Sequence, residues 1–352
     1  MNDTNEVRVS LITNDNEIIK NPNAFDGIIG QRSVVTKLEW FVGNYSDKVC
    51  FPDLLFTGSP GLGKTMMAKK VAESLGRELV EISCPTIKTT DDFVMGILIE
   101  KVMQLGKPAT IFFDEAHALS GDVKDLLLTL LNVENQNKKY LSYKGWSVEY
   151  DASKINVIFA TTDAHLMDKA LLNRLEEVYF TTYDNKDLFK MLKYYLPGIK
   201  LACDKNDIAY ACRGRARDAV KLARKIRMFC TGHNTNVLDN EGWKQIKDTF
   251  GIYSYGLNTK EVELMKILAK DSPLSSASLA SKMGVNVFNI EDEIETRPRE
   301  LGLIENSCKG RCLTGKGVKY ILPFTKVARK KTRRNRKSKI TRNKDRKMDK
   351  VA

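Results

Sequence analysis

Eight residues, Gly58-Ser59-Pro60-Gly61-Leu62-Gly63-Lys64-Thr65, have the types and spacing of a phosphate-binding loop, G-x-x-x-x-G-K-T. Glycines let successive backbone N–H groups close around phosphate oxygens, and the N-terminus of a following helix adds partial positive charge. Lys64 is then placed to reach the β- and γ-phosphates of ATP, and the Thr65 hydroxyl to hold Mg²⁺. A second set follows at Asp114-Glu115-Ala116-His117. Asp114 at the end of a buried strand can bind Mg²⁺ through water, and Glu115 can polarise an attacking water. That pair points to hydrolysis; the plainer alternative is an acidic strand cap. Thr162, closing a third apolar run, can hydrogen-bond the γ-phosphate or the water. Arg174, twelve residues on, suits insertion into a neighbouring copy's site, where such a group is worth about 10³–10⁵ in rate. Its alternative is a surface Arg paired with Glu176 or Glu177. Arg217, just after Gly214, can reach the γ-phosphate or simply decorate a helix surface.

These groups need strands to carry them and helices to brace them. The run Phe51-Pro52-Asp53-Leu54-Leu55-Phe56-Thr57 predicts a buried strand before the loop, and residues 66–75 predict a helix after it. Ala109-Thr110-Ile111-Phe112-Phe113 and Asn156-Val157-Ile158-Phe159-Ala160 are short and apolar, as strands covered on both faces are. After residue 183 the pattern is helical only. Ala219, Leu222, Ala223 and Ile226, for example, fall at helical spacing.

With 352 residues, two or three domains are expected, and 42% apolar content is enough for real cores. No apolar run is long enough for a membrane helix, and the polar N-terminus does not resemble a signal peptide. A soluble protein of the cell interior is expected. The seven cysteines are scattered and odd in number, like buried thiols in a reducing compartment, and no zinc site is expected. Net charge is +13, but residues 326–352 hold fourteen Lys and Arg against two Asp, which is twelve of those charges. With little to bury, that tail is expected to be disordered. Its use is binding nucleic-acid phosphate, or else solubility or localisation.

Taken together these residues resemble an AAA+ ATPase, and more narrowly the RuvB family of Holliday-junction branch-migration motors. The resemblance runs from about Asn21 to Ile321. It is carried by Asn21-Pro22-Asn23-Ala24-Phe25-Asp26-Gly27-Ile28-Ile29-Gly30-Gln31, the phosphate loop, Asp114-Glu115-Ala116-His117, Ala160-Thr161-Thr162, Leu172-Asn173-Arg174, Arg213-Gly214-Arg215-Ala216-Arg217, and Lys309-Gly310-Arg311, which resembles the family's DNA-touching wing. It implies an α/β fold: a P-loop domain with a parallel five-stranded sheet, a helical lid and a C-terminal winged helix. The implied boundaries are an N-terminal extension (1–20), the large ATPase domain (21–182) with a hairpin inserted at about 138–150, the lid (183–254), the winged helix (255–325) and the basic tail (326–352). It also implies ATP and Mg²⁺. Gly61, Leu62, Gly63, Lys64, Thr65 and Met66 would line the phosphate end, with Thr65 and Asp114 on the metal. Thr162 would be the first sensor, Arg174 the finger supplied to a neighbour, and Arg217 the second sensor. Tyr183 would lie near adenine, with Ile28 and Ile29 bordering the same pocket. Asn21 in place of the family's Arg, Gly214-Arg215-Ala216-Arg217 in place of Gly-Thr-Pro-Arg, and the basic tail mark a divergent member, as a viral one would be.

Two further segments bear on partners. Residues 139–150 predict two short strands around Lys144-Gly145. In the family such a hairpin meets the junction-recognising partner. Tyr140, Tyr143 and Trp146 would present that surface, or pack within their own domain. Residues 257–322 predict a winged helix with helices near 260–270, 275–283 and 289–297, then a wing over 303–313. Glu291, Asp292, Glu293 and Glu295 on the third helix would meet phosphates badly, which argues against base reading there. Lys309, Arg311 and Lys316 are the candidates for a sequence-independent grip on duplex, the alternative being a wing used for subunit packing. The expected function is an ATP-driven translocase that works as a homo-hexameric ring and migrates four-way junctions. The alternatives are a clamp-loader-like switch and a nucleotide-gated DNA-binding scaffold without significant turnover.

Overall fold

The computed structural model describes residues 8–10, 25–46, 50–104, 106–131, 138–144, 146–151 and 154–325. Asn21, the rest of the N-terminal extension and the basic tail lie outside the described residues. The apolar runs become parallel strands β1 (Leu54–Thr57), β2 (Glu78–Ser83), β3 (Ala109–Asp114), β4 (Ile155–Thr161) and β5 (Glu176–Tyr179). They form one five-stranded sheet in the order β2-β3-β4-β1-β5. Every residue of β1 is buried, as are the first five of β3 and the last six of β4. That is why these strands read as unbroken apolar runs rather than alternating ones. Phe113 and Phe159 stack across neighbouring strands with centroids 4.9 Å apart. One polar cluster interrupts this core: Arg77 Nη1 and Thr110 Oγ1 each donate to Asn156 Oδ1 at 2.7 Å.

The strand order has a chemical result. Because β4 lies between β1 and β3, Thr57 sits opposite Thr161, and Asp114 opposite Ala160. The carboxyl ends of β1, β4 and β3 therefore open side by side, at the end of a parallel sheet where ligands bind. The phosphate loop leaves the first, Thr162 follows the second, and Asp114 closes the third.

The predicted hairpin is present as Lys138–Tyr143 antiparallel to Trp146–Asp151, and Arg8–Ser10 adds a third, parallel strand. Tyr143 packs half-buried against the core around the five-stranded sheet, so it takes the inward of its two alternatives. Lys144, at the turn, reaches Asp91 Oδ2 at 2.8 Å. The side chains of Tyr140 and Trp146 lie outside the described residues.

The chain divides into two compact units, Met1–Pro197 with Gly214–Arg224, and Gly198–Arg213 with Lys225–Ala352. The stretch read as a helical lid, 183–254, also holds a short strand pair. Lys200–Leu201 pairs in parallel with Val237–Leu238 beside the helices Lys205–Tyr210 and Asn240–Phe250. Two-residue pairings leave no periodicity for a sequence pattern to register. Helices Thr259–Asp271 and Ser276–Met283, then the helical segments Asn289–Ile294 and Thr296–Glu300, precede an antiparallel wing, Ile304–Ser307 with Gly310–Leu313. Val262, Leu268, Leu279, Ile290, Ile294 and Ile304 are among the buried residues of their common core. Gly310 has φ 124°, and a Cβ there would stand 2.5 Å from the Leu274 carbonyl oxygen, so this corner of the wing requires glycine.

Candidate functional site

The phosphate loop joins β1 to the helix Lys64–Ser74, whose N-cap, Gly63, has φ 98°. Gly58 and Gly61 also have positive φ, 135° and 81°, so this turn needs its glycines. Lys64 is buried, and its ammonium donates to the carbonyls of Gly58 at 2.5 Å and Ser59 at 3.1 Å. Burial holds its pKa below the ordinary lysine value; Asp114 and Asp163 oppose that, and Arg217 adds to it. The loop opens into a cleft of about 630 Å³, within the usual size range for a small-molecule site. Ile28, Ile29, Gly61, Gly63, Lys64, Thr65, Met66, Asp114, Glu115, Thr162, Tyr183 and Arg217 all line it, while Leu62 is buried beneath.

Separate segments are fastened to make this cleft. Tyr183 donates its hydroxyl to the Leu62 carbonyl at 2.8 Å, and its N–H to the Gly214 carbonyl at 2.9 Å. Burial pushes the Tyr183 phenol up to about 12, so it stays a donor at neutral pH. Arg217 donates its N–H to the Gly61 carbonyl at 3.2 Å. Gln31 bridges the Ile28-Ile29 wall to the segment after β5, donating to the Thr181 carbonyl at 2.6 Å and accepting the Thr181 N–H at 3.3 Å. Gly30, with φ 73°, lets the Tyr183 ring close in; a Cβ there would meet that ring at 2.6 Å.

A divalent cation fits the donor set. Thr65 supplies a hydroxyl and Asp114 a carboxylate on one cleft beside Lys64. One Asp114 oxygen accepts the Glu115 N–H at 3.1 Å, leaving the other available. Mg²⁺ commonly takes one or two protein oxygens and completes its shell with phosphate oxygens and water, which suits this pair. Glu115 is exposed, with φ 56°. Thr162 donates its hydroxyl to Asp163 Oδ2 at 2.5 Å. Cys84, buried beside Asp114 and Glu115, has its thiol pushed up to about 12, first by burial and then by those carboxylates, so it is no nucleophile.

Arg174 is the one predicted catalytic group that does not line the cleft. Its guanidinium donates to the Ala170 carbonyl at 2.9 Å, across the end of the short helix Lys169–Leu172. Neither suggested acid partner holds it. Glu176 pairs with Lys37 at 3.7 Å, and Glu177 accepts the Thr57 hydroxyl at 2.7 Å.

The wing departs from expectation. Arg311 was expected to grip duplex, yet its guanidinium bonds Glu295 and Glu291 at 2.9 Å each, and Glu295 is fully buried. Arg299 pairs with Glu295 as well. The acids of the third helix are thus partly neutralised from within, and Arg311 spends its charge there. A Ser276 hydrogen bond, followed by Arg311, holds Glu291 below the usual carboxylate range. Lys316 donates to the Leu301 carbonyl at 2.7 Å. Lys309 is exposed at the wing tip, and its ammonium has no partner among the described residues.

The cleft also has walls that sequence reasoning missed: Met191, Tyr194 and Tyr195 from the helix Asn185–Tyr195, with Ala216 and Val220. Tyr194 is 72% exposed, and an aromatic pair at a helix end was the one available signal.

Comparison with known proteins finds two families. Residues 54–183 match the ATPase family associated with various cellular activities (AAA), and residues 254–322 match the RuvB C-terminal winged helix domain. Among curated proteins, the Holliday junction branch migration complex subunit RuvB of Campylobacter hominis is 27% identical over 314 residues, covering 85% of this chain and 90% of its own. The subunit of the same name from Mycoplasma genitalium is 26% identical, covering 87% and 99%. Among solved structures, the Thermotoga maritima RuvB Holliday junction branch migration motor superposes with TM-score 0.67 at 21% identity, over 83% of this chain and 95% of that one.

Proposed function

The chain belongs to the AAA ATPases, of the RuvB type, and from that premise we propose that it is a motor which hydrolyses ATP to move duplex DNA and migrate four-way junctions, working as a ring of six copies. In this reading the backbone N–H groups of the loop, from Gly61 through Thr65 to Met66 at the start of the helix, hold the phosphates. Lys64 neutralises charge on the β- and γ-phosphates. Thr65 and Asp114 hold Mg²⁺, which when bound withdraws charge from the phosphate oxygens. Glu115 takes a proton from the attacking water, and Thr162 orients the water or the γ-phosphate. Ile28, Ile29 and Tyr183 enclose the nucleoside end.

What carries the reading is the meeting of Lys64, Thr65, Asp114, Glu115, Thr162 and Arg217 around one cleft, with Arg174 outside it. A cation that serves phosphoryl transfer but does not reach its own chain's site is suited to a neighbour's. Arg217 belongs to the helical segment 183–254, read as the lid, so a contact between its guanidinium and the γ-phosphate would make the helix that carries it sensitive to the nucleotide bound. DNA would be held by the winged helix, 255–325, through Lys309 at the wing and through the basic tail, without reading bases. The inserted hairpin is the candidate seat for a junction-recognising partner. The place of action would be the cell interior, where ATP and DNA meet.

A synthetic four-way junction tests this directly. Purified protein with ATP and Mg²⁺, with and without a junction-binding partner, should convert junctions to duplex arms in proportion to ATP consumed. ATP turnover with no junction movement in either condition would leave an ATPase with another task.

A further inference from the structure

One polar side chain beside the cleft has no task in the scheme above. His117 lies in the tight turn Ala116–Ala118 after β3, with its Nδ1 3.0 Å from Thr161 Oγ1. Thr161 is buried at the end of β4, and the same Oγ1 accepts the Asp163 N–H at 3.0 Å. Thr162 lies between these two. A single side-chain bond therefore ties the loop that carries Glu115 to the turn that carries Thr162.

The backbone gives a reason for such a tie. Glu115 has φ 56° and ψ 47°, a left-handed conformation that strains a non-glycine residue. Two local bonds help to hold it: Glu115 N–H to Asp114 Oδ1 at 3.1 Å, and Ala118 N–H to the Glu115 carbonyl at 2.9 Å. Both lie within the loop, so neither sets its position against β4. Pairing of β3 with β4 ends at Asp114 opposite Ala160, and beyond that point the His117–Thr161 bond carries the registration into the loop. Either partner can be the donor, since the hydroxyl can donate to a bare Nδ1 or accept from a protonated one.

We propose that His117 is a positioning residue for hydrolysis, which through Thr161 keeps the Glu115 carboxylate at a fixed distance from the Thr162 hydroxyl, so that both address the same water and γ-phosphate. The proposal rests on the ATPase reading of Glu115 and Thr162. It requires geometric support only: His117 touches neither nucleotide nor water.

The test compares full-length His117→Asn, His117→Leu and Thr161→Val proteins for kcat, for KM with ATP, for nucleotide affinity and for thermal unfolding. Asn places an amide near the position of Nδ1 and can donate or accept, so His117→Asn should retain kcat within about 3-fold. His117→Leu should lose about 10- to 100-fold in kcat, the scale of an ångström-sized misplacement, with KM and affinity within about 2-fold. Combining His117→Leu with Thr161→Val should cost no more than the worse single change, because both remove one bond. A His117→Leu protein with wild-type kcat, an Asn variant as impaired as Leu while equally stable, or additive losses in the double variant would each overturn the proposal. Glu115→Gln separates this from the site reading: if that variant also turns over freely, the assignment of Glu115 falls and the role of His117 with it. A silent His117→Leu beside an inactive Glu115→Gln sinks the His117 role alone.

Discussion

Glu115 and Lys64 face the same cleft from opposite conditions. Lys64 is buried, bonded to its own loop and depressed in pKa, so its charge is already bound into the site. Glu115 is exposed, and its carboxylate takes no ion pair among the described residues, which suits the proposed role of a base that receives a proton. Replacing Glu115 with Gln keeps the size and removes the basicity. ATP turnover should fall by about 100-fold or more while nucleotide affinity stays within a few-fold, read by phosphate release and by titration with a fluorescent nucleotide. Undiminished release would remove Glu115 from the chemistry. Asp114 and Thr65 were legible as cleft residues from type and spacing, because one ends a strand and the other closes the loop that names it. Gln31 was not: its two bonds reach Thr181 across 150 positions, which no local pattern records.

At the scale of elements, the sheet was readable because strands covered on both faces leave continuous apolar runs. What escaped was how charges on different elements resolve against one another. The wing Arg and the acids of the third helix looked like rival surface charges in the sequence, and they fold into one ion cluster around buried Glu295. Separate outcomes follow for two neighbouring cations. Arg311→Ala should cost up to about 3 kcal/mol of stability in the winged helix, the low end for breaking a buried pair, since Arg299 still faces Glu295. Lys309→Ala should leave the unfolding curve unchanged, weaken duplex binding, and lower the salt slope by about one. Equal unfolding midpoints for both variants would show that the cluster is not structural. Tyr143 teaches the same lesson, because an aromatic in a hairpin reads alike whether it is offered outward or, as here, tucked against its own domain.

At the scale of the whole molecule, a site completed by a neighbour predicts complementation. Arg174→Ala alone should bind ATP and hydrolyse it about 10³-fold more slowly, and Glu115→Gln alone should also be inactive. Mixed, the two should recover part of wild-type turnover, since some interfaces then join an intact Glu115 to an intact Arg174. Turnover that stays at the level of the separate variants at every mixing ratio would deny the shared site. The inserted hairpin adds a mechanical point. Its second strand ends at Asp151, four residues before β4 begins at Ile155, and β4 is paired along both edges, with β3 and β1. Seven residues of strand make a stiff rod about 23 Å long. A hand closed on the hairpin would hold one end of that rod while Thr161 and the turn that carries Thr162 ride on the other. Grasping a distant scaffold and pacing fuel consumption would then be two ends of the same lever.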